Sequence, residues 1–177
     1  MRISIVGTSG CGKTTLAIEL ARQFALPRIE LDAINWQEDW RDLQVHDPDE
    51  FKRRTAEAVE PNAWVCDGNY ALLRPIVLAR ATHLIWLDYE RPLIMWRVIT
   101  RSFACAVDQR ELFGGNHENF RHWLDKEHPI RWAWETFHRR RKEYEALLPE
   151  PGNAHLSIRR LQHPRDVKDV AAWLGGR

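Results

Sequence analysis

The chain has 177 residues, 44% of them hydrophobic, which suits one domain and is long enough to bury a sizeable core. Its 26 Lys and Arg against 25 Asp and Glu leave a net charge of +1, which excludes a global field that would draw in nucleic acid or an anionic membrane. Cys11, Cys66 and Cys105 show no CxxC spacing, and no apolar run reaches the roughly 20 residues of a membrane helix, so a cytoplasmic protein with reduced, buried thiols is expected.

Short apolar runs alternate with segments of helical period, the signature of βαβ units and a parallel sheet. "RISIV" at 2–6 reads as a first strand, and the glycine-rich "GTSGCGKTT" follows it directly. Leu16, Leu20 and Phe24 then recur every four residues, predicting a helix from about Lys13 to Ala25 that stops before Pro27. "RIEL" at 28–31 reads as a second strand ending at Asp32. Asp47, Pro48 and Glu50 supply an N-cap, a first-turn proline and an N3 carboxylate for a helix ending near Pro61.

"AWVC" at 63–66 is a third strand delivering Asp67 and Gly68, and "HLIWL" at 83–87 a fourth ending at Asp88. A helix from about Arg91 carries Leu93, Trp96 and Ile99. Between Cys105 and His128 the periodicity fades around "FGGN", predicting a mobile segment. Helical period returns with Ile130, Trp134, Phe137, Tyr144 and Leu148 on one face. "HLSIRRL" at 155–161 is a fifth strand, and "PRDVKDVAAWL" closes the chain as a helix. No repeat or linker divides it, so one α/β domain with a five-stranded parallel sheet and helices on both faces is expected.

The stretch after the first strand fits G-x-x-x-x-G-K-[ST], with Gly7, Gly12, Lys13 and Thr14 at the fixed positions and Thr8, Ser9, Gly10 and Cys11 between them. Such a match arises by chance in on the order of one chain in a few hundred of this length. Its place between a strand and a helix is where a phosphate cradle needs it, because glycines let successive N–H groups face an anion and the helix adds its positive end. Lys13 is expected to reach the β- and γ-phosphates of ATP, Thr14 to coordinate Mg²⁺ and Thr15 to touch the α-phosphate. No N/T-K-x-D occurs to read guanine, and the chain is too short for a transporter-type ATPase, which leaves a small-molecule kinase.

With "GTSGCGKTTLAIELA", "IELDAINW", "WVCDGNY", "LIWLDYERPLIMWRV", "ELFGGN" and "HRRRKEYEALL" in this order, the chain resembles the nucleoside and nucleotide kinase-like P-loop proteins. It is most similar to the adenylate-kinase-related group labelled topology modulation proteins. The resemblance covers nearly the whole chain and implies a P-loop NTPase fold with sheet order 2-3-1-4-5. It further implies an ATP donor, a lid at about 105–128 and an acceptor pocket over strands 2 and 3.

Two strand-terminal acids, Asp67 and Asp88, are open to the role of second magnesium anchor, and the implied order favours Asp67 by setting strand 3 beside strand 1. Asp32 either orients an acceptor hydroxyl or caps the next segment. Trp36 and Trp40 either wall the acceptor pocket or pack. Phosphoryl transfer calls for arginines near the γ-phosphate. Arg101 and Arg110 border the lid, with Arg101 expected on the nucleotide and Arg110 on the transferring group. Arg139, Arg140 and Arg141 follow it, and Arg141 falls on the apolar face four residues after Phe137. Its partner is then a bound phosphate or Glu145. The histidines show no metal-ligand spacing, and His117, His122 and His128 read as lid surface. The expected activity is Mg-ATP-dependent transfer to a nucleotide or other small acceptor. An ATP-switched regulator that contacts nucleic acid is the alternative, which the near-zero charge disfavours.

Overall fold

In the computed structural model, which describes residues 1–108 and 129–176, five strands form one parallel sheet. They are β1 (Arg2–Gly7), β2 (Arg28–Glu30), β3 (Trp64–Asp67), β4 (His83–Leu87) and β5 (Ser157–Leu161), in the order β2-β3-β1-β4-β5. This is the expected order. Ile5 pairs with Asp67 and Gly7 with Leu87, so β1 ends between the carboxyl ends of its two neighbours. Ligand sites of open α/β sheets lie there.

The helices are α1 (Lys13–Phe24), α2 (Leu31–Asn35), α3 (Leu43–His46), α4 (Pro48–Ala58), α5 (Arg74–Arg80), α6 (Arg91–Asp108), α7 (Pro129–Leu147) and α8 (Val170–Gly175). Alternation along the strands sends Ile3, Ile5, Val65 and Ile85 into a core with α1, α6 and α8. It sends Val6, Trp64, Leu84 and Trp86 into a second core with α4 and α5. Asp47 caps α4 as its sequence predicts, accepting the Glu50 N–H at 3.1 Å with Pro48 in the first turn.

The structure departs from the sequence reading at several points. β2 stops at Glu30, and Asp32 lies in the first turn of α2 rather than at a strand end. On α6, whose face the sequence left unassigned, Ile94, Val98 and Ser102 are buried, whereas Trp96 is 65% exposed and Ile99 also faces outward. α6 packs beneath the glycine loop, where a Cβ on Gly10 would collide with a Val98 methyl, and an indole has no room. On α7, Ala133 takes the buried place and Trp134 is exposed, with the Arg91 guanidinium stacked over its ring at 3.4 Å. α6 also continues through Asp108, past the predicted break at Cys105. The rest of the expected lid, with Arg110, "FGGN", His117, His122 and His128, lies outside the described residues. Among the described residues no helix is long and apolar enough to cross a membrane.

α7 contributes Phe137 to the first core and Tyr144 to the second, so it crosses the carboxyl edge of the sheet. Arg140 and Arg141 sit at the crossing. Because Gly10 has φ +81° and abuts Val98, Gly10→Ala is expected to destabilise the fold by about 1–3 kcal/mol through strain and overpacking. Chemical denaturation measures this, and an unchanged midpoint contradicts the packing of α6 under the loop.

Candidate functional site

The loop from Gly7 to Gly12 leaves the sheet through backbone that side chains disfavour. Gly7, Gly10 and Gly12 have φ of +151°, +81° and +99°, and a Cβ on Gly7 would stand 2.6 Å from the Leu87 carbonyl oxygen. Cys11 turns its side chain into the core, where burial pushes its thiol up, and its N–H donates to the Thr8 oxygen at 3.2 Å. Only the backbone of Cys11 faces the cradle. Lys13, the first residue of α1, places Nζ 3.2 Å from both the Gly7 and the Thr8 carbonyl oxygens. An ammonium carries three donors, so a third remains for an anion at the loop mouth.

From α6, Arg97 donates to the Cys11 oxygen at 3.1 Å. Arg101 is exposed one turn further along that face.

Beside the loop, the two strand-terminal acids differ. Asp67 is buried; its Oδ2 accepts from the Thr14 hydroxyl at 2.8 Å and its Oδ1 from Arg28 Nε at 3.2 Å. Arg28 also reaches Glu30 at 2.7 Å, so one guanidinium serves two neighbouring carboxylates. Asp88 is equally buried but engaged by two arginines, Arg141 from α7 at 2.9 Å and Arg160 from β5 at 2.8 Å. Arg141 also meets Glu90 at 3.5 Å, and Glu145, its alternative partner from the sequence, pairs with Arg160 at 2.9 Å.

Thr14 and Asp67 are oxygen donors of the kind Mg²⁺ takes, and sites of this kind use one or two carboxylates alongside substrate phosphates. The pair fits the ion. Among the described residues no group of three or more His, Cys, Asp or Glu gathers as a metal site.

On the other side of the loop, Asn69 and Tyr70 follow Gly68. Asn69 Nδ2 donates to the Gly7 oxygen at 3.3 Å, and Tyr70 Oη donates to Asp32 Oδ1 at 2.6 Å. Burial, with Asp32 beside it, pushes the Tyr70 hydroxyl far up, so it stays a proton donor. Tyr70 also packs edge-on against Phe51, with centroids 5.0 Å apart. Trp36 and Trp40 pack edge to face at 5.5 Å.

Over the start of the loop lies a small cavity lined by Gly7, Thr8, Asp88, Arg140, Arg141 and Tyr144. Arg140 donates to the Asn69 carbonyl at 2.9 Å, and burial pushes its guanidinium below the usual value. Among the described residues it forms no ion pair.

The fold thus gathers Lys13, Thr14 and Asp67 at the loop and brings Asp32 in through Tyr70, while Arg141 is held on Asp88. Sequence reading passed over Arg28, Asn69, Arg74 and Arg97. None belongs to a motif with a fixed spacing; only the strand order sets Arg28 against Asp67, and "DGNY" carried no recognised role for its asparagine.

No protein-family model matches the chain, and no curated protein matches it. Among solved structures it is similar to the shikimate kinase of Aquifex aeolicus vf5, at 15% identity over 99% of this chain and 97% of that one, with a TM-score of 0.57. It is likewise similar to the shikimate kinase of Acinetobacter baumannii in complex with shikimate, at 20% identity over 98% and 89%, with a TM-score of 0.58. At these identities the likeness establishes the fold: a P-loop, parallel-sheet architecture shared with these kinases.

Asp88→Asn leaves Arg141 and Arg160 without their shared carboxylate. Because those side chains are 24% and 34% exposed, the expected loss is about 2 kcal/mol rather than the full cost of an unpaired buried charge. Urea denaturation reads it, and an unchanged midpoint contradicts a structural role for the cluster.

Proposed function

We propose that the chain is a Mg-ATP-dependent phosphotransferase that acts on a hydroxyl of a nucleotide or other small-molecule acceptor, as in the adenylate-kinase-related group it resembles. The observation that carries this reading is the direct Thr14–Asp67 contact beside a glycine cradle bearing Lys13. A phosphate loop with a hydroxyl and a carboxylate at its flank is what a nucleotide and its metal require. The solved neighbours bear the name of a kinase for a small molecule, and one holds shikimate, which supports a small acceptor here.

In this reading the N–H groups from Thr8 to Thr15 hold the phosphates and the free proton of Lys13 bonds the β- or γ-phosphate. Thr14 and Asp67 would hold Mg²⁺, which would neutralise charge on the phosphate oxygens when bound. Asp32, held by the Tyr70 hydroxyl, orients the acceptor hydroxyl and takes its proton. Arg140 faces the transferring group from the cavity over Gly7. Arg141 reaches a phosphate only by leaving Asp88, so in the state described it anchors α7. Arg101 remains assigned to the nucleotide, and Arg110 to the transferring group from outside the described residues.

The test measures MgATP affinity and acceptor-dependent ADP release for the wild type, Lys13→Ala and Asp32→Asn. The acceptor panel holds nucleoside monophosphates, nucleosides and small hydroxylated metabolites. Lys13→Ala should abolish turnover with the fold intact. Asp32→Asn should retain ATP affinity while stimulated turnover falls about 10²- to 10⁴-fold. A wild type that no acceptor stimulates, but whose affinity for a macromolecule shifts with ATP, would contradict the kinase and favour the regulator.

A further inference from the structure

The carbonyl of Gly7 receives two side-chain donors, Lys13 Nζ at 3.2 Å and Asn69 Nδ2 at 3.3 Å. Lys13 has an assigned task; Asn69 has none. The other end of its amide is equally engaged. Oδ1 accepts from Tyr144 Oη at 2.5 Å and from Arg74 Nη2 at 3.4 Å, and Arg74 is held in turn by Glu143 at 2.8 Å. Arginine has only donors, so the amide oxygen must face Arg74 and the amide nitrogen must face Gly7. Chemistry therefore fixes the orientation of the amide.

The Gly7 oxygen and the Thr8 N–H belong to one planar peptide and point in opposite directions. Whatever holds the oxygen also aims the N–H, the first amide of the loop. A glycine at φ +151° offers little resistance of its own to rotation of that peptide. Lys13 cannot serve as the lock alone, because its ammonium also serves Thr8 and the incoming phosphate.

We propose that Asn69 is a positioning residue of the phosphate loop. Its amide locks the Gly7–Thr8 peptide with the Thr8 N–H facing the nucleotide, and Arg74, which has only donors to offer, sets which end of that amide faces Gly7. The inference rests on the reading of the loop as a nucleotide site and adds the group that preorganises it.

The experiment combines calorimetric titration with the magnesium complex of β,γ-imido-ATP and ¹⁵N relaxation of the loop amides. It compares the wild type, Asn69→Ala and Tyr144→Phe. Asn69→Ala is expected to weaken the nucleotide about fivefold, the equivalent of one hydrogen bond of about 1 kcal/mol. In the ligand-free protein its Thr8 amide should show microsecond-to-millisecond exchange broadening that the wild type lacks. Tyr144→Phe keeps the donation to Gly7, with Arg74 still orienting the amide, and should stay within about twofold of the wild type.

Wild-type affinity in Asn69→Ala, or an equal loss in Tyr144→Phe, overturns the proposal while leaving the nucleotide site standing. An unchanged Thr8 line shape in ligand-free Asn69→Ala overturns it without reference to any nucleotide. A wild type that binds no nucleotide removes the underlying reading instead.

Discussion

Burying a carboxylate at the end of a strand is expensive unless cations meet it, and this sheet does so on both sides of β1. Asp67 ends β3 and Asp88 follows β4, each almost fully buried. Arg28 meets the first, and Arg141 and Arg160 meet the second. These pairings fix what surrounds the glycine loop. Arg28 ties β2 to β3, Arg160 brings β5 to the end of β4, and Arg141 pins α7 where it crosses the carboxyl edge of the sheet.

The same constraint separates the two acids by chemistry. Asp88 is saturated by guanidinium donors on both sides and stands as an anchor for the fold. Asp67 meets one arginine and the Thr14 hydroxyl, so it keeps oxygen lone pairs beside the first turn of α1. Consecutive arginines on α7 diverge in the same way. Arg141 reaches toward β4, and Arg140 reaches the backbone after β3, straddling the start of the loop. A half-buried guanidinium over a glycine cradle, with a carbonyl rather than a carboxylate as its partner, is suited to meeting an anion.

The sheet, its order and the loop were legible because each rests on local pattern: apolar runs of strand length, a fixed glycine spacing and a resemblance that supplied the order. The Asp47 cap was readable for the same reason. Helix faces were harder. Trp134 read as part of one apolar face of α7, yet Ala133 takes the buried place there and the indole of Trp134 gains a stacked guanidinium instead. Periodicity records spacing but not the volume available on the facing surface. The site was half legible. The places of Lys13 and Thr14 beside the loop follow from the glycine motif, whereas Arg28 and Asn69 make contacts across sequence separations of 39 and 62 residues that no local pattern encodes.

In the proposed reading the glycine cradle and the Thr14–Asp67 pair form one site for a nucleoside triphosphate and its metal. A crystal structure with Mg²⁺ and β,γ-imido-ATP tests it most directly. The β-phosphate is expected within hydrogen-bonding distance of the loop amides and Lys13, with the ion beside Thr14 and Asp67. A nucleotide seated away from the loop, or a loop that stays empty at saturating nucleotide, would contradict it.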